Sequence, residues 1–321
     1  MASIACIGAG YWGKNLIRNF SQLGSLKYIC DDNPTVQEAF REQYPETQIS
    51  GDFAGILEDS SLDGVCIATP APTHFDLIMQ SLSAGKHVFV EKPLCLDESE
   101  AEKCIQLAKD KGLKLMVGHL LWYHPMITEA KRLISAGDLG QIRNIYSNRL
   151  NMGLLRNEEN VLWSFAPHDI SMILGLLGSV PESSTATGSS YISSGIHDNV
   201  IGIMKFPDNV SAHVFVSWLN PFKEQKLVVV GDQAMLVFDD TLPWENKLAI
   251  YKHSVEFSDS GYPKAVKAEP EFVDLEQSEP LKNECQHFLD CIDQDLTPRT
   301  DGNEGLSVLR VLNQLQQSLD S

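Results

Sequence analysis

Three glycines constrain this chain more than any other feature. They fall as Gly8-Ala-Gly10-Tyr11-Trp12-Gly13, directly after the short apolar run 4–7. Leu16, Ile17 and Phe20 then recur at helical spacing. A buried strand, a glycine turn and a helix start are the context that raises this motif above a chance match. Gly8 allows the tight turn, Gly10 lets backbone approach a pyrophosphate, and Gly13 lets the helix pack on the strand. The helix start offers N–H groups and a positive dipole end to the phosphates. Tyr11 and Trp12 lie inside the same turn. A second apolar run, 26–30, ends in Asp31, which stands 23 residues after Gly8. That is about where an acid accepts hydrogen bonds from an adenosine ribose. The expected cofactor is NAD.

Strand and helix signals then alternate. Asp32-Asn33-Pro34 turns into a helix over 34–44, and Asp52 caps a short one to 58. The strand 64–68 shows no polar alternation, as when both faces of a sheet are covered. It ends in Thr69-Pro70-Ala71-Pro72-Thr73-His74, before a helix to about 84. The strand 87–90 ends in Glu91-Lys92-Pro93. Asp97 and Glu100 have capping-box spacing before a helix that Gly112 stops. The strand 114–118 leads into His119. The pattern predicts a doubly wound parallel sheet with its ligand beyond the carboxyl ends of the strands. Gly8, Asp31, Thr69, Pro70, His74, Glu91, Lys92 and His119 all fall there.

Composition changes after about 121. A helix over 125–136 is followed by β-rich runs at 142–150, 184–191, 197–206, 210–218, 225–231, 234–238 and 248–251. Short connections such as Pro207-Asp208-Asn209 predict antiparallel neighbours. Two helices close the chain near 280–293 and 303–318. The fold class is therefore α/β. A Rossmann domain over 1–121 precedes an α+β domain over 122–321 with a large, mainly antiparallel, open-faced sheet.

Charge and composition narrow the function. The chain has 321 residues, is 43% hydrophobic and carries a net charge of −18. Such acidity disfavours nucleic acid or an anionic membrane as partner. No apolar run approaches the ~18 residues of a spanning helix. The glycine motif follows the first residues at once, so no signal peptide and a cytoplasmic location are expected. None of the seven cysteines forms a Cys-x-x-Cys pair, a reduced pattern. His119 and His124 lie near no cysteine or acid cluster, so no metal site is expected. Hydrolase and NTPase signatures are absent.

The glycine motif, the segment VCIATPAPTH at 65–74 and Glu91-Lys92-Pro93 together resemble the glucose–fructose oxidoreductase / inositol dehydrogenase / MocA-like family. The resemblance covers nearly the whole chain. It implies a cis peptide between Lys92 and Pro93, and a lysine that reaches the reacting hydroxyl and the nicotinamide ribose. It also implies a second domain that often pairs through its open sheet face into homodimers or homotetramers. The stretch Glu159-Asn160-Val-Leu-Trp163-Ser164-Phe-Ala-Pro167-His168-Asp169-Ile170 matches the family's second signature, a histidine that opens a helix and faces the nicotinamide. Pro167 is read as the helix starter. Many relatives carry an aspartate where this chain has Ser164, which leaves Lys92 and His168 as the acid–base pair. Asp169 either orients the imidazole or caps the helix.

Within the family, GAGYWGKNLIRNF and ENVLWSFAPHDI resemble the UDP-N-acetylglucosamine 3-dehydrogenases. These pass hydride from the sugar 3-position to NAD, before transamination to 2,3-diamino sugars for lipid A. The resemblance makes Lys92, Arg149, Asn151, Arg156, Asn160, Trp163 and His168 substrate-side candidates. The alternatives are a dehydrogenase of another sugar, such as a UDP-glucuronate derivative, a cyclitol or a free sugar, or a non-catalytic NAD-sensing regulator.

Overall fold

The computed structural model describes residues 1–153 and 155–321. Two compact units emerge, Met1–Tyr123 with Ser278–Leu309, and His124–Gln277 with Arg310–Ser321.

In the first unit, strands and helices alternate as β1 (Ile4–Ile7), α1 (Gly13–Gln22), β2 (Leu26–Cys30), α2 (Pro34–Gln43), β3 (Gln48–Ser50), α3 (Phe53–Leu57), β4 (Gly64–Ile67), α4 (His74–Ser83), β5 (His87–Glu91), α5 (Glu98–Lys111) and β6 (Leu115–Gly118). The sheet runs β3-β2-β1-β4-β5-β6, and each of these pairs is parallel. Every residue of β1, β4 and β6 is buried, which explains their lack of polar alternation. The expected helix signals operate. Asp52 accepts from the Gly55 N–H, Asp97 accepts from those of Ser99 and Glu100, and Gly112 ends α5 at φ 64°.

The second unit contains α6 (Pro125–Ala136), β7 (Ile142–Met152), α7 (Val161–Leu177), β8 (Ser183–Ser189), β9 (Asn199–Lys205), β10 (Ser211–Ser217), β11 (Leu219–Gly231), β12 (Met235–Asp239), β13 (Leu248–Tyr251), β14 (Ser254–Phe257), β15 (Pro263–Val266) and β16 (Glu271–Phe272). Its eight-stranded sheet runs β16-β13-β12-β11-β7-β10-β9-β8, and β7 with β10 is its parallel pair. Along β9, Val200, Gly202 and Met204 turn inward while Ile201 and Ile203 are exposed. Helix α7 packs against β10, β7 and β9. The Pro207-Asp208-Asn209 turn joins antiparallel β9 and β10, with Asp208 at φ 58° and Asn209 at φ 59°. The exposed hairpin β14–β15 and the two-residue β16 have no counterpart in the sequence reading, because solvent-facing residues carry no alternation to detect.

Two features depart from the sequence expectations. Helix α7 does not start at Pro167. It starts six residues earlier, where the Asn160 side chain accepts from the Leu162 and Trp163 N–H groups, and Pro167 lies inside it. A side-chain cap that satisfies two orphan donors outweighs the preference of proline for a first turn. His168 therefore sits in the body of the helix.

The second departure is from a single boundary near 121. Helix α8 (Pro280–Asp293) and the start of α9 (Gly302–Leu319) belong with the first unit. Phe288 packs on Phe89 at 5.8 Å, and Leu281, Cys285 and Leu289 are buried beside it. Thr300 lies along the outer edge of β6, where the Val117 N–H donates to its carbonyl at 2.8 Å and its hydroxyl donates to the Val117 carbonyl at 2.7 Å.

Helix α8 also buries Glu284 completely, with no hydrogen-bond partner for either carboxylate oxygen among the described residues. Burial, and then the charge of Glu91, hold its carboxyl well above the ordinary range. The folded state thus keeps a proton that the unfolded chain releases. This group's stabilising effect is present below the unfolded carboxyl's range and is lost as pH rises towards the folded value. Thermal melting of the apo-protein should show a midpoint that falls from pH 5 to pH 8. Glu284→Gln should flatten that slope and raise the midpoint at pH 8; an unchanged slope would mean that Glu284 is ionised in the fold.

Candidate cofactor and catalytic site

The glycine turn divides into residues that the chain itself requires and one that it does not. Gly8 has φ 89°, and a Cβ there would stand 2.9 Å from the Ala68 carbonyl carbon and oxygen. A Cβ on Gly13 would meet the Gly8 oxygen at 2.0 Å, so α1 can cross β1 this closely only with glycine. A Cβ on Gly10 would meet nothing within 4 Å. Gly10 thus opens a bare surface just ahead of α1. That helix has no side-chain cap and no acid in its first turn, unlike α3 and α5, which aspartates cap. A bare turn before an uncapped helix start suits a dinucleotide's pyrophosphate.

Asp31 follows β2 and is tied to the same turn. Its Oδ2 accepts from the Ala9 N–H at 2.8 Å and its Oδ1 from the Asn33 N–H at 2.9 Å. The two bonds fix the carboxylate at the place expected for ribose recognition. Beyond β4, the Thr69 and Thr73 hydroxyls lie 2.7 Å apart, and Pro70 accepts from Thr73. His74 is 1% exposed. Its ring lies between the Pro93 carbonyl at 2.7 Å and the Thr69 carbonyl at 3.0 Å, and so links the β4 and β5 loops. Burial pushes its pKa down against the pull of those carbonyls.

Beyond β5, the Lys92–Pro93 peptide is cis. The Trp12 indole N–H donates to Glu91 Oε1, and the Lys92 N–H donates to Oε2 at 3.3 Å. Glu91 therefore joins the glycine turn to the lysine loop. Its carboxyl is pushed up to about 7, by burial first, against the Trp12 hydrogen bond and the Lys92 charge. Gly118 leaves the room it needs, since a Cβ there would stand 3.0 Å from Glu91 Oε2. His119 is 2% exposed, with Nδ1 2.5 Å from Glu304 Oε2 on α9. No sequence pattern links residues 185 positions apart, so Glu304 is absent from the sequence reading.

The second unit carries the other candidates. Asn160 caps α7, and its side chain donates to Gln316 Oε1 at 2.8 Å. The Trp163 indole donates to the same oxygen at 3.1 Å. His168 is half-buried, and Ser164, one turn before it, is buried. Arg156 pairs with Glu159 at 3.3 Å on the surface. Asn151 lies at the end of β7, half-buried. Asp169 is held by side chains of β7. It is 1% exposed and accepts from Arg149 Nε at 2.6 Å, Arg149 Nη2 at 3.2 Å and Ser147 Oγ at 2.5 Å. Neither Ser147 nor this ion pair was legible in sequence, because 20 or more residues separate the partners. No described group of three or more His, Cys, Asp or Glu could hold a metal ion. No described helix is long and apolar enough to cross a membrane.

The two kinds of glycine make opposite predictions. Gly10→Ala should melt like the parent while binding NADH about tenfold more weakly, ~1.4 kcal/mol, in a fluorescence titration. Gly13→Ala should lower the melting temperature, because the new methyl displaces α1 from β1. Parental NADH affinity in Gly10→Ala would show that no ligand backs onto that turn.

Comparison with known proteins agrees with this geometry. Residues 2–119 match the model of the oxidoreductase family with an NAD-binding Rossmann fold, and residues 127–237 match the GFO/IDH/MocA C-terminal domain. The chain is 26% identical to UDP-N-acetylglucosamine 3-dehydrogenase of Acidithiobacillus ferrooxidans, covering 98% of this chain and 96% of that protein. It is 25% identical to inositol 2-dehydrogenase of Rhizobium meliloti, covering 98% and 95%. A solved structure of the Acidithiobacillus enzyme superposes with a TM-score of 0.87 at 24% identity, over 99% of this chain and 97% of that one. With both halves matched and the cofactor turn in place, the chain belongs to the glucose–fructose oxidoreductase / inositol dehydrogenase / MocA family and is an NAD-binding oxidoreductase.

Proposed function

We propose that this chain oxidises the 3-hydroxyl of UDP-N-acetylglucosamine to the 3-keto sugar, a product suited to transamination to a 2,3-diamino sugar. The observation that carries this reading is the end-to-end similarity to a UDP-N-acetylglucosamine 3-dehydrogenase. Bound NAD would supply the hydride acceptor. The chain's own residues do the rest. The turn at Gly8–Gly13 and the start of α1 hold the pyrophosphate, Trp12 and Glu91 brace that turn, and Thr69, Pro70, His74 and His119 shape the neighbouring loops. Asp31 accepts from ribose hydroxyls and repels a 2′-phosphate, which favours NAD over NADP. His168 takes the hydroxyl proton, since a neutral imidazole is the ordinary base near pH 7. Lys92 hydrogen-bonds to the same oxygen and stabilises developing negative charge. Asn151, Arg156, Asn160 and Trp163 serve the substrate side, while the Arg149 guanidinium is engaged by Asp169. Of these, Arg156 has the exposure to meet a diphosphate, while Asn160 and Trp163 act through the wall they build with Gln316. Ile201 and Ile203 on the open sheet face suit a homo-oligomeric contact in the cytoplasm.

A cyclitol is the second reading, because inositol 2-dehydrogenase covers the chain to the same extent. Incubation with NAD and a panel of nucleotide sugars, free sugars and inositols, followed by NADH absorbance, separates the two. UDP-N-acetylglucosamine should be the substrate turned over; NADH formation with inositols alone would sink the first reading. Lys92→Ala should abolish turnover while NADH still binds. His168→Asn should lower turnover by roughly 10²–10⁴-fold, the usual loss for a general base, and remove the acid limb of the pH–rate profile. A retained limb with most of the rate would make Lys92 the base.

A further inference from the structure

Arg149 is a cation on the helix-packed face of the sheet. Its neighbours in register are Val216 on β10 and Gln225 on β11. Two positions along β7, on the same face, stands Ser147. Both side chains converge on Asp169, giving that carboxylate three hydrogen bonds from one strand. Removing either member of such a buried pair strands the other charge, which is strongly destabilising. A pair this costly to break holds its turn of α7 tightly.

The turn it holds is the one that carries His168. Adjacent helical residues point about 100° apart. Fixing Asp169 against β7 therefore fixes the direction in which the imidazole leaves the helix. The helix needs this support here. Pro167 has no N–H to donate to the Trp163 carbonyl, so one backbone bond is missing from the turn before His168. Ser164 supplies a hydroxyl and no charge. We propose that Asp169, Arg149 and Ser147 are positioning residues for His168, fixing its direction and balancing the charge beside it. This rests on the reading of His168 as the proton acceptor.

The other elements packed on α7 bring little charge to that turn. The facing residues of β10 are Ala212, Val214 and Val216, and those of β9 are Val200, Gly202 and Met204. Lys131 of α6 bonds the Leu176 carbonyl, two turns further on. Arg156 and Glu159 pair with each other before the helix starts, and the His197 carbonyl accepts from the Val161 N–H at that start. The Lys226 ammonium pairs with Asp239 on the opposite side of the sheet.

The test uses two opposite lesions. Arg149→Met leaves a carboxylate beside His168 and should raise the midpoint of its NMR titration by about one pH unit. Asp169→Asn leaves a guanidinium and should lower it by a similar amount. The His168 ring signal is assigned by its loss in His168→Asn. The double variant Arg149→Met/Asp169→Asn should return towards the parental midpoint yet keep a depressed kcat with KM little changed, since the anchor is gone. Should Asp169→Asn not fold, Arg149→Met and Arg149→Lys carry the test, the second restoring the midpoint that the first raises. Shifts in one direction for both lesions, or in neither, would overturn the proposal. Opposite NMR shifts without matching movement of the acid limb of kcat would leave this proposal standing and remove His168 as the base.

Discussion

A parallel sheet covered on both faces has no place for polar side chains except at the ends of its strands. That constraint organises the first unit. Residues 4–7, 64–67 and 115–118 are buried throughout, so chemistry is pushed to the loops beyond them. Asp31, Thr69, Glu91 and His119 each end or follow a different strand. Their hydrogen bonds, with those of His74, tie separate loops together. Asp31 reaches the glycine turn, His74 bridges two loops, Glu91 takes the Trp12 indole, and His119 takes Glu304. The rim is a cross-linked ring, and it holds a cofactor turn that has no cap of its own.

What the sequence made legible follows from range. The strand–helix alternation, the aspartate caps and the glycine turn are local signals with a period or a fixed offset, and the structure has each of them. The position of α8 was not legible, because nothing in residues 280–293 says which core Phe288 will enter. Pro167 was read as a helix start because proline favours first turns, whereas the Asn160 side chain fixes the start six residues earlier. Asp169 also makes a long-range contact that no local signal announces, an ion pair with a residue on a strand. At the site, the residue types were legible; the partners that hold them were mostly not.

The two buried carboxyls of the first unit show the same constraint from its costly side. Glu91 is compensated by an indole and a backbone N–H, and its carboxyl stays near neutrality. Glu284 has no such compensation and lies in its field. A carboxylate on one favours a proton on the other, so the pair resists carrying two negative charges at once.

The strip of chain at 300–301 along the edge of β6 has a consequence for how the protein is made. A ribosome delivers the glycine turn, all six parallel strands and the His124–Gln277 part of the second unit before it delivers α8 and that strip. Until then Phe89 lacks the ring of Phe288, and β6 presents an open edge able to pair with other chains. The unit that is synthesised first is therefore completed nearly last, and the nascent protein spends most of its synthesis with its oldest core unsealed.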